Sequence, residues 1–166
     1  MVENQCLGCS NVCCARLSNL MLTAGEYDAL FRRFEKELDV KNANGVILVT
    51  PREGERCPHL LGHDCQVYQD RPIDCRLYPY MMVRVVERGH RATVFFTPRS
   101  LCPENDRIRS LMSEDEAKTL VVTFWKQVYD EGWTIDARCE KGPVSRLLQW
   151  IETIRGTQVY PTPTVR

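Results

Sequence analysis

Apolar residues recur at helical spacing in three parts of the chain. A T-x-x-E pattern from Thr23 to Glu26 and an S-x-x-E pattern from Ser113 to Glu116 are typical of capping boxes at helix N-termini. Pro143 is suited to the first position of a third helix. The predicted apolar faces are Tyr27, Leu30, Phe31, Phe34 and Leu38; Ala117, Leu120, Val121, Phe124, Trp125 and Val128; and Val144, Leu147, Leu148, Ile151 and Ile154.

Shorter apolar runs predict strands. One run, VILVT, covers residues 46–50, and two more, at 81–86 and 92–96, flank Gly89 as a β-hairpin would. Residues 52–79 read as an irregular loop with one short helical turn. We therefore expect a small α+β domain over residues 1–156, with about three helices, a short β-hairpin or sheet and cysteine-rich metal-binding loops. A flexible C-terminal tail is expected over residues 157–166.

Charge and hydropathy give no support for two classes of partner. The 22 basic and 22 acidic residues cancel, so no net field favours nucleic acid or an anionic membrane. No apolar run approaches the roughly 20 residues that a bilayer span requires. The first residues, MVENQCLGCSNVCC, lack the basic and apolar regions of a secretory signal. We expect a cytoplasmic protein, and the sequence leaves a protein partner open.

The nine cysteines change this picture most. Reducing conditions in the cytoplasm disfavour structural disulfides, so thiolate binding of a metal is the expected use of so many sulfurs. Four of them lie within CLGCSNVCC, where a C-x2-C pair can share one ion, and the others must be gathered by the fold. The predicted metal ligands are Cys6, Cys9, Cys13, Cys14, Cys57, Cys65, Cys75 and Cys102.

The identity of the metal remains open between two candidates. Cys-Pro steps at 57–58 and 102–103 are similar to the Pro that follows a ligand in ferredoxin-type runs, which favours an iron–sulfur cluster of the [4Fe-4S] type. The all-sulfur donors also suit Zn2+. Adjacent side chains diverge, so which of Cys13 and Cys14 is a primary ligand stays open. Cys139 stands alone and is predicted to pack as a small hydrophobe.

Charged and aromatic neighbours of the cysteines carry two further expectations. Three residues around Cys75 either orient a ligand through hydrogen bonds or form a capped turn with solvated arginines. Two histidines lie between Cys57 and Cys65, and because eight thiols fill two four-coordinate sites, we expect them to face solvent. The three residues around Cys75 are Arg71, Asp74 and Arg76, and the two histidines are His59 and His63.

Four pieces of the sequence, CLGCSNVCC, CPHL, CQVY and RPIDCRLYP, resemble the YkgJ-like cysteine-cluster family, described as a zinc- or iron-chelating domain. The resemblance spans about residues 6–102. It implies that the eight cysteines predicted as ligands occupy the family's cysteine positions. One departure is that three residues, not two, precede the double cysteine at Cys13 and Cys14. The cluster also resembles part of the much longer flagellin lysine methylases.

Three functional classes follow from these observations. The first is a metal or cluster protein whose centre carries electrons, handles iron or is structural. The second is a metal-dependent modification enzyme or enzyme subunit, and the third is a zinc-stapled interaction module. No nucleotide-binding motif or catalytic triad pattern occurs, and no catalytic residue is predicted. A fully thiolate-ligated centre leaves no open position, which favours the first class.

Overall fold

The computed structural model describes residues 14, 17, 19–52, 56–98 and 112–140. Backbone contacts divide the chain into two compact units, residues 1–75 and residues 76–166. Helices and antiparallel and parallel strands occur together, which confirms the predicted α+β class. The helix predicted from residue 144 and the tail over 157–166 lie outside the described residues. The prediction of one domain over 1–156 stays a prediction.

The first unit contains a three-stranded antiparallel sheet. Its strands are β1 (Leu20–Leu22), β2 (Leu38–Ala43) and β3 (Val46–Pro51), in the order β1-β3-β2. Asn44 and Gly45 join β2 to β3 with φ angles of 53° and 84°. An Asn-Gly pair tolerates this left-handed backbone, which matches the twist of a tight hairpin.

The predicted first helix is present but changes its winding. Helix α1 (Ala24–Glu26) continues as a π-helix (Tyr27–Phe31) and then a 3-10 helix (Arg32–Glu37). Leu38, predicted on the apolar face of this helix, instead begins β2. It is paired with Pro51 of β3, a long-range contact that a local period does not contain. The apolar core of this unit is Leu20, Leu22, Tyr27, Phe31, Leu38 and Val49.

The central segment is more regular than expected. Two-residue strands β4 (Leu60–Leu61) and β5 (Asp64–Cys65) pair around a turn containing Gly62, whose φ is 61°. The expected helical turn is α2 (Ile73–Leu77). Strands this short carry no readable alternation, so the small hairpin could not be predicted.

The second unit is built on the predicted β-hairpin. Strands β6 (Tyr80–Arg88) and β7 (Arg91–Pro98) are antiparallel, and β8 (Thr134–Cys139) pairs with β7 in parallel. Helix α3 (Glu114–Val128) follows the predicted second capping box. The side chains of Phe124 and Trp125 on α3 are fully buried, as predicted. Strand β8 was not predicted.

Among the described helices, none combines the length and the apolar character that crossing a bilayer would require.

Candidate metal centre

Four of the eight predicted ligands are described, and all four belong to the first unit. Each is partly buried, and each is recorded as a thiol, not as half of a cystine. Two of them, Cys57 and Cys75, pack against the apolar core of that unit. These four are Cys14, Cys57, Cys65 and Cys75. The other predicted ligands, Cys6, Cys9, Cys13 and Cys102, lie outside the described residues.

Cys57 is joined to the end of the N-terminal cysteine run through the backbone. Its N–H donates to the carbonyl oxygen of Cys14 over 3.0 Å. The chain then turns at once, because the N–H of Leu60 donates to the carbonyl of Cys57 over 2.9 Å. Pro58 takes the second position of this turn, where its fixed φ is favourable. The Cys-Pro step therefore shapes the loop that carries Cys57.

Cys65 returns to this turn through the small hairpin. It pairs with Leu60 across β4 and β5. The N–H of Gln66 also donates to the carbonyl of His59 over 2.9 Å. The pairing brings Cys65 back beside the turn that begins at Cys57, although seven residues of the printed sequence separate the two cysteines.

Cys75 lies on α2, which is held against the N-terminal part of the unit by two carboxylates. The N–H of Ile73, the first residue of α2, donates to Glu26 Oε1 over 2.6 Å. In the other direction, Asp74 Oδ2 accepts from the N–H of Met21 over 3.1 Å. A helix begins with backbone donors that have no partner inside it, so the Glu26 oxygen satisfies one of these donors.

The pKa of the Cys75 thiol depends on its burial and on its neighbours, which include Cys57 and Cys65. Burial is the largest cause that raises the pKa of the Cys75 thiol well above its usual range. The negative charges of Asp74, Cys57 and Cys65 raise this pKa further, and Arg71 lowers it. The thiols of Cys57 and Cys65 are therefore close enough to Cys75 to oppose its ionisation. A bound cation would remove this opposition.

Among the described residues, Arg71 supplies the positive charge that lowers the pKa of Cys75 and so favours its thiolate. Arg71 Nε donates to the carbonyl of Tyr68 over 2.9 Å, and the guanidinium carbon lies 3.7 Å from the centre of the Tyr68 ring. These contacts fix the guanidinium group near the site. The carboxylate of Asp74 accepts a hydrogen bond from the N–H of Met21, and Arg76 is exposed. The predicted ligand-orienting role of these three residues stays a prediction.

The expectation that His59 faces solvent is wrong. Its side chain is buried, with 2% exposure, and Nε2 lies 2.9 Å from the carbonyl oxygen of Leu30. The rings of Phe31 and Phe34 meet the imidazole edge-on, with centroids at 4.9 and 5.2 Å. Burial lowers the pKa of His59, so the imidazole is neutral and donates. His63, in contrast, is exposed, as expected.

The burial of His59 could not be inferred from the number of thiols, because it depends on packing against side chains distant in the sequence. The sequence contains one relevant signal, the two aromatic residues Phe31 and Phe34 on the predicted first helix, against which the ring of His59 packs. His59 ties the loop that begins at Cys57 to the helical segment before Leu38. It acts on the fold of this loop, and the thiols remain the candidate ligands.

The donor chemistry suits a thiophilic metal, but the described residues do not complete a site. Within residues 14, 17, 19–52, 56–98 and 112–140, no three His, Cys, Asp or Glu side chains are arranged as a ligand group. The predicted set extends to four cysteines outside that part of the chain. Sulfur donors in one compact unit fit either Zn2+ or an iron–sulfur cluster.

An α+β chain with four partly buried cysteines in one unit, none of them in a cystine, is typical of the class of cysteine-rich metal-binding proteins. The family model "CxxCxxCC: Putative zinc- or iron-chelating domain" matches residues 5–103, and the chain belongs to this family. The match confirms the resemblance found in the sequence. It includes all eight predicted ligands and excludes Cys139. No curated protein and no solved structure matches the chain.

Proposed function

We propose that this chain holds an iron–sulfur cluster, of the [4Fe-4S] type, and that the centre carries electrons, handles iron or stabilises the fold. One observation carries the proposal: Cys57, Cys65 and Cys75 belong to one unit, none is half of a cystine, and Cys57 and Cys65 lie close enough to Cys75 to oppose its ionisation. The proposed ligands are Cys6, Cys9, Cys13, Cys14, Cys57, Cys65, Cys75 and Cys102.

The physical reason is that this arrangement is unfavourable without a cation. Thiolates are the ligands of both zinc and iron, so binding must displace protons from the cysteines. Burial and neighbouring negative charge raise the pKa of Cys75, which keeps it protonated until a metal competes for the sulfur. Arg71, fixed on Tyr68, offsets part of this cost.

Iron is favoured over zinc by the spacing of the cysteines. The separations between Cys57, Cys65 and Cys75 differ from the paired C-x2-C knuckles of common zinc sites. The Pro after Cys57 shapes the ligand loop, as the Pro after a ligand does in ferredoxin-type runs. An iron–sulfur cluster would supply one-electron chemistry, whereas zinc would supply only structure.

Zinc is the second candidate, and a specific observation favours it. The backbone of Cys57 is bonded to that of Cys14, in the same unit as Cys65 and Cys75. Four thiolates are the complement of a closed structural zinc site. In that case the protein is a zinc-stapled interaction module, with a protein partner. Both candidates assume the reducing cytoplasm, where thiols stay available.

Purification without oxygen, with iron, zinc and acid-labile sulfide counted per chain, tests the proposal. We expect stoichiometric iron and sulfide and a broad visible absorption from sulfide-to-iron charge transfer. Zinc without sulfide would support the second candidate. Wild-type protein that holds neither metal in stoichiometric amount would overturn both.

Two serine variants identify the ligands in the same experiment. Cys75→Ser is expected to lose most of the bound metal, because a serine hydroxyl replaces a thiolate at a partly buried position in the middle of α2. Cys139→Ser is the matched control, because Cys139 lies on β8 and outside the family match. It should keep the full metal content. Equal loss in the two variants would show that the assigned ligand set is wrong.

A further inference from the structure

The chain contains two capping boxes of nearly equal geometry. In the first, Glu26 Oε2 accepts from the Thr23 N–H over 2.9 Å, and the Glu26 N–H donates to Thr23 Oγ1 over 3.3 Å. In the second, Glu116 Oε2 accepts from the Ser113 N–H over 2.7 Å, and the Glu116 N–H donates to Ser113 Oγ over 3.2 Å. Each box satisfies the start of its own helix.

The boxes differ in what the second carboxylate oxygen does. Glu116 is exposed, and the hydrogen bonds described for it join it to Ser113. Glu26 is partly buried, and its Oε1 accepts from the N–H of Ile73 over 2.6 Å. A single side chain therefore caps two helices, α1 and α2, which are far apart in sequence. A box that served only its own helix would not need this bond.

The bond between Glu26 and Ile73 lies close in the chain to a candidate ligand, Cys75. Ile73 is the first residue of α2, and Cys75 follows two positions later on the same helical turn. Asp74, which lies between Ile73 and Cys75, accepts at Oδ2 from the N–H of Met21. Met21 lies only two residues before Thr23. The two bonds run in opposite directions between the same segments. Together they fix where α2 begins and how far it can rotate, and so where the Cys75 sulfur lies.

We propose that Glu26 is a positioning residue for Cys75 in the metal centre. The inference rests on the proposed function, because it assigns Cys75 as a ligand. Residues that hold ligands in place typically change metal affinity by tenfold or more when replaced. Glu26 acts through the backbone of Ile73 and does not touch the metal.

Glu26→Gln is the diagnostic variant. Glutamine at the third helical position still completes a capping box, but an NH2 group replaces one of the two carboxylate oxygens, so the N–H of either Thr23 or Ile73 would face a donor. We expect Zn2+ affinity, measured by competition with a chromophoric chelator, to fall about tenfold. With Co2+ as probe, the thiolate-to-cobalt absorption should also weaken at saturation. Hydrogen exchange at the Ile73 N–H should accelerate by a similar factor.

Two control variants separate positioning from helix stability. Glu116→Gln makes the same chemical change in the box that caps one helix only, and Zn2+ affinity should stay within about twofold of wild type. Thr23→Ala removes the cap of α1 and lowers stability, but leaves Glu26 Oε1 with Ile73. It should also keep its Zn2+ affinity and its Co2+ spectrum.

Each outcome supports or overturns the inference. An unchanged Zn2+ affinity in Glu26→Gln, or an equal loss in Thr23→Ala, would overturn it. A Glu26→Gln variant that fails to fold while Thr23→Ala folds would overturn it too, because Glu26 would then determine the whole fold. If wild type binds no Zn2+ or Co2+ and holds no iron when purified without oxygen, the proposed function fails first. Faster alkylation of Cys75 in Glu26→Gln, and not in Glu116→Gln, would then still support positioning, and equal rates would reject it.

Discussion

The burial of His59 allows a stability prediction that can be worked out contact by contact. His59→Ala removes a buried imidazole that bonds to the carbonyl of Leu30 and lies edge-on to Phe31 and Phe34. The lost hydrogen bond contributes about 1 kcal/mol. Each aromatic contact contributes about 1 kcal/mol beyond its buried area. These contributions lower the free energy of unfolding by about 3 kcal/mol, before the smaller buried area of alanine is counted.

Urea unfolding of the metal-free protein, followed by far-UV circular dichroism, measures this loss. At a slope of about 2 kcal/mol per molar urea, the midpoint should fall by about 1.5 M. His59→Phe keeps the ring packing but leaves the Leu30 carbonyl without its donor, so it should lose only about 1 to 2 kcal/mol. The exposed His63 gives the matched control, and His63→Ala should change stability by at most about 0.5 kcal/mol.

The order of the three variants is the critical result. If His59→Ala were no more destabilising than His63→Ala, the buried imidazole would not hold the ligand loop, and the reasoning above would be refuted. If His59→Phe cost as much as His59→Ala, the hydrogen bond to Leu30 would account for the whole effect. The edge-on contacts with Phe31 and Phe34 would then contribute nothing.

Three further predictions concern the rest of the fold. Burial and Glu87 raise the pKa of Tyr129, so the neutral phenol stabilises the folded state; this contribution is complete below about pH 10 and falls as pH rises further. In chemical denaturation, the free energy of unfolding of wild type should therefore fall by about 1 kcal/mol more between pH 9 and 11 than that of Tyr129→Phe. An equal fall in the two proteins would contradict the assignment. Trp125→Phe removes the indole N–H bond to Met82 Sδ and buried volume, and calorimetry should find about 2 kcal/mol of destabilisation; an unchanged melting temperature would argue against this contact. Gly45→Ala should cost about 1 kcal/mol by urea titration because its φ is 84°, and a stabilising effect would exclude the left-handed turn.

The features that could be predicted from the sequence are those encoded locally. The capping boxes at Thr23 and Ser113 mark their helices because four consecutive residues suffice to form each one. The hairpin around Gly89 is readable because two β-branched runs flank a turn residue. The N-terminal cysteine run from Cys6 to Cys14 is also encoded locally, since its polar segment offers these four sulfurs no apolar face, and its role as a set of ligands stays a prediction.

The features that were missed depend on partners distant in the chain. Strand β8 pairs in parallel with β7. Its apolar residues Ile135, Ala137 and Cys139 do alternate with polar ones, but Ala and Asp are weak strand formers, and the strand was not predicted from this signal. Leu38 fits a helical period, yet it pairs with Pro51. The second role of Glu26 was invisible because a capping box already explains the residue completely. Only the bond to Ile73 reveals it.

X-ray absorption spectroscopy at the iron and zinc edges, on protein purified without oxygen, tests the central claim most directly. The account predicts a metal whose nearest shell is sulfur at about 2.3 Å, with a second shell of iron if the centre is a cluster. A shell of nitrogen and oxygen only, or no bound metal at all, would contradict it.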